Sequence, residues 1–209
     1  MKIFKNRQSA GQLLAKRLKN TKADLVLGIP RGGVVVAKEI AKELNLPLDV
    51  LVVRKIGAPF QPELALGAVD PDGEVVWEES LLKEVGTRRE ELVETIKNEW
   101  QELKRREDVY RAGKDELNIS GRTVILVDDG IATGSTTLSA VNYLKRHGAS
   151  KIILAIPVAS KEAQERVIRE LGEAGEGRIL EVPEYFQAVG QFYQDFPEVS
   201  DQEVVSLLT

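Results

Sequence analysis

Two adjacent carboxylates, Asp128 and Asp129, end the apolar run of VILVDDGIATGSTT (residues 124–137) and stand directly before a loop of Gly, Ala, Ser and Thr. That loop leads into a helical pattern, and the first N–H groups of a helix lack intrahelical partners while its dipole is positive there. Small residues let such a backbone approach a phosphate closely, and Ser135, Thr136 and Thr137 add hydroxyl donors. The carboxylates would repel a phosphate at the same spot, so they must face another part of the ligand. Ribose hydroxyls, as hydrogen-bond donors, meet that need. The stretch suits a ligand with hydroxyls and a metal at one end and a phosphate at the other. It is not a Walker loop, because GIATGST is one residue short between its glycines and has no Lys. Nor is there a dinucleotide fingerprint, since the first strand runs into GIPRGGVVVA rather than G-x-G-x-x-G.

Two further segments carry fixed cations. PRGG (30–33) sets Arg31 beside Gly32 and Gly33 ahead of a helix, a loop able to present backbone N–H groups to a pyrophosphate. VRKIGAPFQPE sets Arg54 and Lys55 after the second strand, and Gly57, Pro59 and Pro62 predict an irregular, lid-like continuation. Two adjacent cations there can neutralise charge developing on a departing anionic group.

The elements that must position these residues alternate. DLVLGI (24–29), PLDVLVV (47–53), TVILV (123–127) and KIILAIPV (151–158) are short, β-branched apolar runs. Between them, GVVVAKEIAKEL, STTLSAVNYLKRHG and KEAQERVIREL have helical spacing, and NRQSAGQLLAKRLKN supplies a packing helix ahead of the first strand. Alternation of this kind predicts an α/β fold with an open, mostly parallel sheet flanked by helices. Ligands of such sheets bind beyond the carboxyl ends of the strands, where Asp128 and Asp129 fall. The middle departs from the pattern. GAVDPDGEVVW (67–77) reads as a hairpin around an Asp-Gly turn, and residues 87–111 as a long charged helix with Leu92, Ile96, Trp100 and Leu103 on one face. The expectation is one domain over residues 1–209 with a hairpin and helical insertion at about 67–115 and a small hood or lobe built from that insert, the tail, or both.

Composition narrows the chemistry. Basic and acidic residues number 29 and 33 and are interspersed, for a net charge of -4, so no field draws a polyanion and no nucleic-acid partner is expected. No Cys and a single His exclude thiolate sites and most imidazole chemistry, leaving carboxylates, Arg, Lys and backbone groups. His147 precedes Gly148 at a helix end, where it serves the dipole. No run reaches the roughly 20 apolar residues of a membrane span, and MKIFKNRQSAGQLL lacks a signal-peptide core. A cytoplasmic protein without a membrane partner is expected.

The apolar run, acid pair and GIATGST resemble the phosphoribosyl pyrophosphate (PRPP) signature of the type I phosphoribosyltransferases. RQSAGQLLAKRL, GIPRGGVVVA, VVRKIGAPFQPELALGAV, VILVDDGIATGSTT and FYQDFPEVSDQEV are similar to a stand-alone group of those transferases over nearly the whole chain. The resemblance implies transfer of phosphoribosyl from Mg-PRPP to a nitrogen nucleophile, a nucleobase or related heterocycle, with release of pyrophosphate. It implies that Asp128 and Asp129 engage the ribose hydroxyls directly or through Mg2+. It places the 5-phosphate on Ala132, Thr133, Gly134, Ser135 and Thr136, and the pyrophosphate on Arg31, Gly32 and Gly33, in a loop that often contains a cis peptide. Arg54 and Lys55 match an Arg-Lys pair of adenine phosphoribosyltransferases, and a homodimer is implied by the fold. Hypoxanthine-type members carry an acid where this chain has Ala132, which moves no proton; Glu63, Glu184 and Asp195 are the alternatives. Tyr185, Phe186, Phe192, Tyr193 and Phe196 form either core packing or a surface on which a base stacks. The alternative function is a PRPP-binding regulatory protein without transferase activity, although neither a basic stripe nor a helix-turn-helix is present. A third reading makes the chain one module of a larger enzyme system that contacts a partner through helix 87–111.

Overall fold

Asn6 opens the first helix, its side chain accepting the Ser9 N–H at 2.9 Å while its own N–H donates to Ser9 Oγ at 3.1 Å. The computed structural model describes residues 4–173 and 175–209, and this helix, α1 (Arg7–Leu18), buries Ala10, Leu14 and Leu18. It packs on α2 (Gly32–Leu44), where a side chain at Gly11 would come within 2.7 Å of the Val36 carbonyl. The sheet has five parallel strands, the first four from the predicted runs: β1 (Leu25–Gly28), β2 (Leu48–Val50), β6 (Thr123–Val127), β7 (Lys151–Val158) and β8 (Gly175–Glu181), in the order β2-β1-β6-β7-β8. Val26, Ile125, Val127 and Ile153 face α1 and α2. Leu27, Leu126 and Leu154 face α5 (Ser135–Arg146) and α6 (Lys161–Leu171) on the other side. Each such apolar side chain contributes on the order of 1.5–3 kcal/mol by its burial. The sheet is thus α/β and doubly covered.

After β1 the chain crosses to β2 on one side, and after β6 it crosses to β7 on the other. The strand order therefore reverses between β1 and β6, which is where open α/β sheets form their ligand crevice.

The segment between β2 and β6 builds a second, antiparallel layer of β3 (Arg54–Ala58), β4 (Gln61–Val69) and β5 (Val75–Trp77). Here the structure corrects the irregular lid: Pro59 lies in the turn and Pro62 inside an edge-exposed stretch of β4, and the disruption is confined to register shifts on either side of Gly57. A side chain at Gly57 would meet the Pro62 carbonyl at 2.5 Å, so the bulge absorbs what the prolines would otherwise break. The lobe accordingly starts at Arg54 rather than near residue 67. The Asp-Gly turn forms with Gly73 at φ 86°, its loop organised by Asp70, whose carboxylate accepts the N–H groups of Asp72 and Glu74 at 2.9 and 3.1 Å. His147 at the end of α5 stacks on Tyr143 and pairs with Asp72 at 3.1 Å, so it secures this turn as well as capping its helix.

Helix α3 (Glu79–Val85) was hidden in the sequence by its single buried residue, Leu82, and the long charged helix is shorter than its pattern. A 3-10 turn at Arg89–Leu92 precedes α4 (Val93–Tyr110). Leu92 and Leu103 are buried beneath the β3-β4-β5 layer, with α7 (Asp201–Leu208) completing that core through Val204. Strand β8 was also unread, because its glycines obscure the apolar pattern of a sheet edge. Among the described residues no helix is long and apolar enough to cross a membrane.

Candidate functional site

Strand β1 ends at Gly28 and β6 at Val127, and the two pair in parallel with Gly28 opposite Val127. This register brings the Pro30–Gly33 loop against Asp128 and Asp129. Pro30–Arg31 is a cis peptide bond. The approach is close enough that a methyl group on Gly32 would sit 1.8 Å from Asp129 Oδ2, and one on Gly33 would sit 2.8 Å from the Asp128 Cα. Glycine is required at both positions by contact, not by backbone angle.

The loop after the acid pair is held by its neighbour strand. Ile131 N–H donates to the Val158 carbonyl at 2.9 Å, and Ser160, the cap of α6, donates through Oγ to the Ala132 carbonyl at 2.7 Å. Gly134 turns with φ 89°, and the first bond of α5 runs from Leu138 N–H to the Gly134 carbonyl at 2.8 Å. The N–H groups ahead of that bond form the positive end of the helix, at the mouth of a cavity of about 330 Å³. Arg7, Arg31, Lys55, Asp128, Asp129 and Phe196 also line it.

Burial pushes the Asp128 carboxyl well above the usual carboxylate range, and the neighbouring Asp129 charge adds to the shift. Burial raises Asp129 too, against the opposing charge and hydrogen bond of Arg7, whose Nε donates to Asp129 Oδ2 at 2.7 Å. Among the described residues no cation pairs directly with Asp128; Lys55 acts on it only through its field. No cluster of three or more His, Cys, Asp or Glu able to hold a metal occurs among those residues. Two adjacent carboxylates, one of them lacking a paired cation, fit a Mg2+ that takes its other ligands from substrate and water, as is usual for that ion.

A second cavity of about 840 Å³ adjoins the first through Pro30, Arg31, Lys55 and Thr136 and extends beneath the β3-β4 hairpin to Glu63, Glu99 and Arg106. The sequence-read residues divide within this space. Lys55 is exposed and borders both cavities, whereas Arg54 is engaged by Glu99 at 2.7 Å and Arg31 pairs with Glu198. Ala132 and Thr133 are exposed, but Ser135 is buried and its hydroxyl donates to Glu78 Oε1 at 2.6 Å. Of the three candidate acids only Glu63 reaches a cavity wall; Glu184 and Asp195 line neither. Phe192 and Tyr193 pack with Phe4 in a small core, and Tyr185 stands 81% exposed outside both cavities.

Sequence reasoning missed Arg7 and Glu78, and read Tyr193 only as one of an aromatic cluster. Tyr193 Oη donates to the Asp129 carbonyl at 2.6 Å, and Arg166 Nη1 donates to Glu78 at 2.6 Å, making Glu78 the joint anchor of α6 and the start of α5. Its side chain is 9% exposed against 35% for Arg166, so water screens part of the pair. Glu78→Gln is expected to cost about 2 kcal/mol in urea unfolding, because the charge that Arg166 faces is lost and one of its two acceptor oxygens becomes an NH2 donor. It should also weaken anion binding at the 132–136 loop.

The acid pair at the strand-order reversal, followed by an anion-binding helix start, agrees with a family match that spans residues 3–171 to the phosphoribosyl transferase domain. The chain belongs to that family. It is 45% identical over its full length to a Mycobacterium tuberculosis (H37Rv) protein provisionally named a phosphoribosyl transferase, Rv0571c. The match takes in 47% of that relative, so the chain spans about half the length of the curated relatives it matches. The crystal structure of TT1426 from Thermus thermophilus is 41% identical, with a TM-score of 0.79 over 99% of this chain and 97% of that one. A Neisseria gonorrhoeae protein with bound ppGpp shares the fold at 14% identity, with a TM-score of 0.51 over 100% of this phosphoribosyl transferase domain and 96% of its own chain.

Proposed function

We propose that the protein transfers the 5-phosphoribosyl group of Mg-PRPP to a nitrogen nucleophile and releases pyrophosphate. The observation that carries the reading is the meeting, at one strand-order reversal, of a carboxylate pair and a helix start suited to a phosphate. In this reading the backbone of Ala132–Thr136 holds the 5-phosphate, with Thr133 and Thr136, which line the cavity, as the hydroxyl-bearing residues, since Ser135 is committed to Glu78. Asp128 and Asp129 receive the ribose hydroxyls and Mg2+, which when bound offsets the charge of the diphosphate. Arg31 and the Gly32–Gly33 backbone face the pyrophosphate. Lys55, free of an ion pair among the described residues, supplies the mobile positive charge as the bond to pyrophosphate breaks. Catalysis is then positioning and electrostatics.

The nucleophile enters from the larger cavity. Among the described residues no aromatic side chain lines that space. Phe196, at the edge of the smaller one, already carries Arg7 at 3.6 Å and stacks with Tyr193 at 4.8 Å. An acceptor heterocycle is therefore held by its polar edges, with Glu63 as the acid or base that Ala132 does not provide. The second reading, PRPP binding without transfer, draws support from that same lack of an acid on the loop.

Calorimetric titration of PRPP with and without Mg2+, followed by a pyrophosphate-release screen over heterocyclic acceptors, tests both. Micromolar, Mg-dependent binding, about 8 kcal/mol, with pyrophosphate release is the expected result. Binding with no release from any acceptor favours the regulator, and an absence of binding sinks both.

A further inference from the structure

Arg7 belongs to α1, outside every loop of the cleft, yet its side chain is 9% exposed and two of its three guanidinium nitrogens donate hydrogen bonds. Nε donates to Asp129 Oδ2 at 2.7 Å, Nη1 donates to the Pro197 carbonyl at 2.6 Å, and the plane lies 3.6 Å from the Phe196 ring centroid. The tail that supplies these partners also supplies Tyr193, which donates to the Asp129 carbonyl. The N-terminal segment binds the same tail through Phe4 N–H to the Phe192 carbonyl at 2.9 Å and Gln194 N–H to the Phe4 carbonyl at 2.8 Å. Asp129 is thus gripped on its side chain and its main chain by two distant parts of the sequence. Asp128 receives its neighbour's backbone N–H at 2.8 Å and interacts with that neighbour's side chain, and among the described residues no cation pairs with it.

We infer that Arg7 is a positioning residue that gives the two carboxylates different tasks: it compensates and aims Asp129 while clamping residues 193–197, and so leaves Asp128 as the carboxylate whose charge the ligand must offset. The identity of that ligand rests on the transferase reading; the clamp does not. The geometry argues against a simple surface ion pair, because such pairs contribute little and tolerate Lys for Arg. Here one planar group makes two directed bonds and a ring contact, a combination that lysine cannot reproduce. The missing side chain of Gly32 adds to the case, since a methyl group there would stand 2.7 Å from Arg7 Nε as well as against Asp129. The loop has been kept clear for this pair.

The test uses the full chain as wild type, Arg7→Gln, Arg7→Lys, Asp129→Asn and the Arg7→Gln, Asp129→Asn double variant, with Mg-PRPP calorimetry and amide hydrogen exchange over residues 189–198. Arg7→Gln should weaken Mg-PRPP binding roughly 10- to 100-fold, as loss of an outer partner of a ligand-binding carboxylate does. The double variant should bind no worse than the weaker single variant, since both changes remove one interaction. Arg7→Lys should regain part of the affinity through its charge, while its tail exchanges as fast as in Arg7→Gln because the fork and ring contact are lost. Additive losses in the double variant, or wild-type affinity in Arg7→Gln, would overturn the inference. Should wild type bind no PRPP, the transferase reading fails and the exchange arm judges the clamp alone: unchanged protection of 193–197 in Arg7→Gln refutes it, and faster exchange upholds it.

Discussion

Asp128→Asn is expected to lower Mg-dependent PRPP affinity at least about 100-fold, or ~2.8 kcal/mol, while leaving the thermal midpoint unchanged or raising it. The two effects have one origin. Asp128 is half-buried beside Asp129 with no paired cation among the described residues, so its ionised form is costly until something positive arrives. An amide of the same shape relieves that repulsion in the free protein and keeps an acceptor oxygen, but it offers a metal or a hydroxyl-bearing ligand no charge. A gain of about 1 kcal/mol would lift the midpoint of a domain this size by roughly 2–4 °C. Calorimetry and thermal unfolding on one preparation check both halves. Loss of binding together with a fall of several degrees would mean that Asp128 is a structural acid and that its place in the site is incidental.

The adjacent glycines should fail in different ways when changed to alanine. The methyl group of Gly32→Ala meets side-chain ends, Asp129 Oδ2 at 1.8 Å and Arg7 Nε at 2.7 Å, which can swing aside. Stability should change little and PRPP binding should vanish, since the displaced groups are the ones that define the cleft. The methyl group of Gly33→Ala meets main chain, the Asp128 Cα and the Val127 carbonyl, both at 2.8 Å. Main chain in a central parallel strand cannot step back, so this variant should lose about 1–3 kcal/mol or more of folding stability. Urea unfolding paired with titration separates the two cases. A Gly32→Ala protein that binds like wild type would show that Asp129 need not occupy its observed position.

What could be read from the chain was what is local in it. The runs at 24–29, 123–127 and 151–158 state their strand character within a few residues, and the rule that sites lie beyond strand ends then placed Asp128 without any knowledge of its neighbours. Gly32 and Gly33 were legible as a loop, but the reason for them was not, because it is an approach between two strands whose register the sequence does not print. Arg7 and Glu78 left no signal at all, and Tyr193 signalled only an aromatic cluster. An Arg in the first turn of an amphipathic helix reads as surface, and its partner lies 122 positions away. The prolines at 59 and 62 misled in the opposite sense, since a bulge at Gly57 lets β3 and β4 pair around them. Ser135 shows the limit of motif reading: its place in the loop suggests a phosphate ligand, while its hydroxyl is spent on Glu78.

The bond between Arg7 and the Pro197 carbonyl spans 190 positions of chain, and that distance has a meaning in time. A ribosome adding 5–20 residues per second needs about 10–40 s to travel from one partner to the other. Through most of that interval the nascent chain does not yet contain the residues that lock the guanidinium in place, even once the acid pair and the phosphate loop have been made. On the transferase reading, a complete ligand site then awaits translation of residues 193–197. A polypeptide released early would carry the whole recognisable motif and still lack a finished pocket.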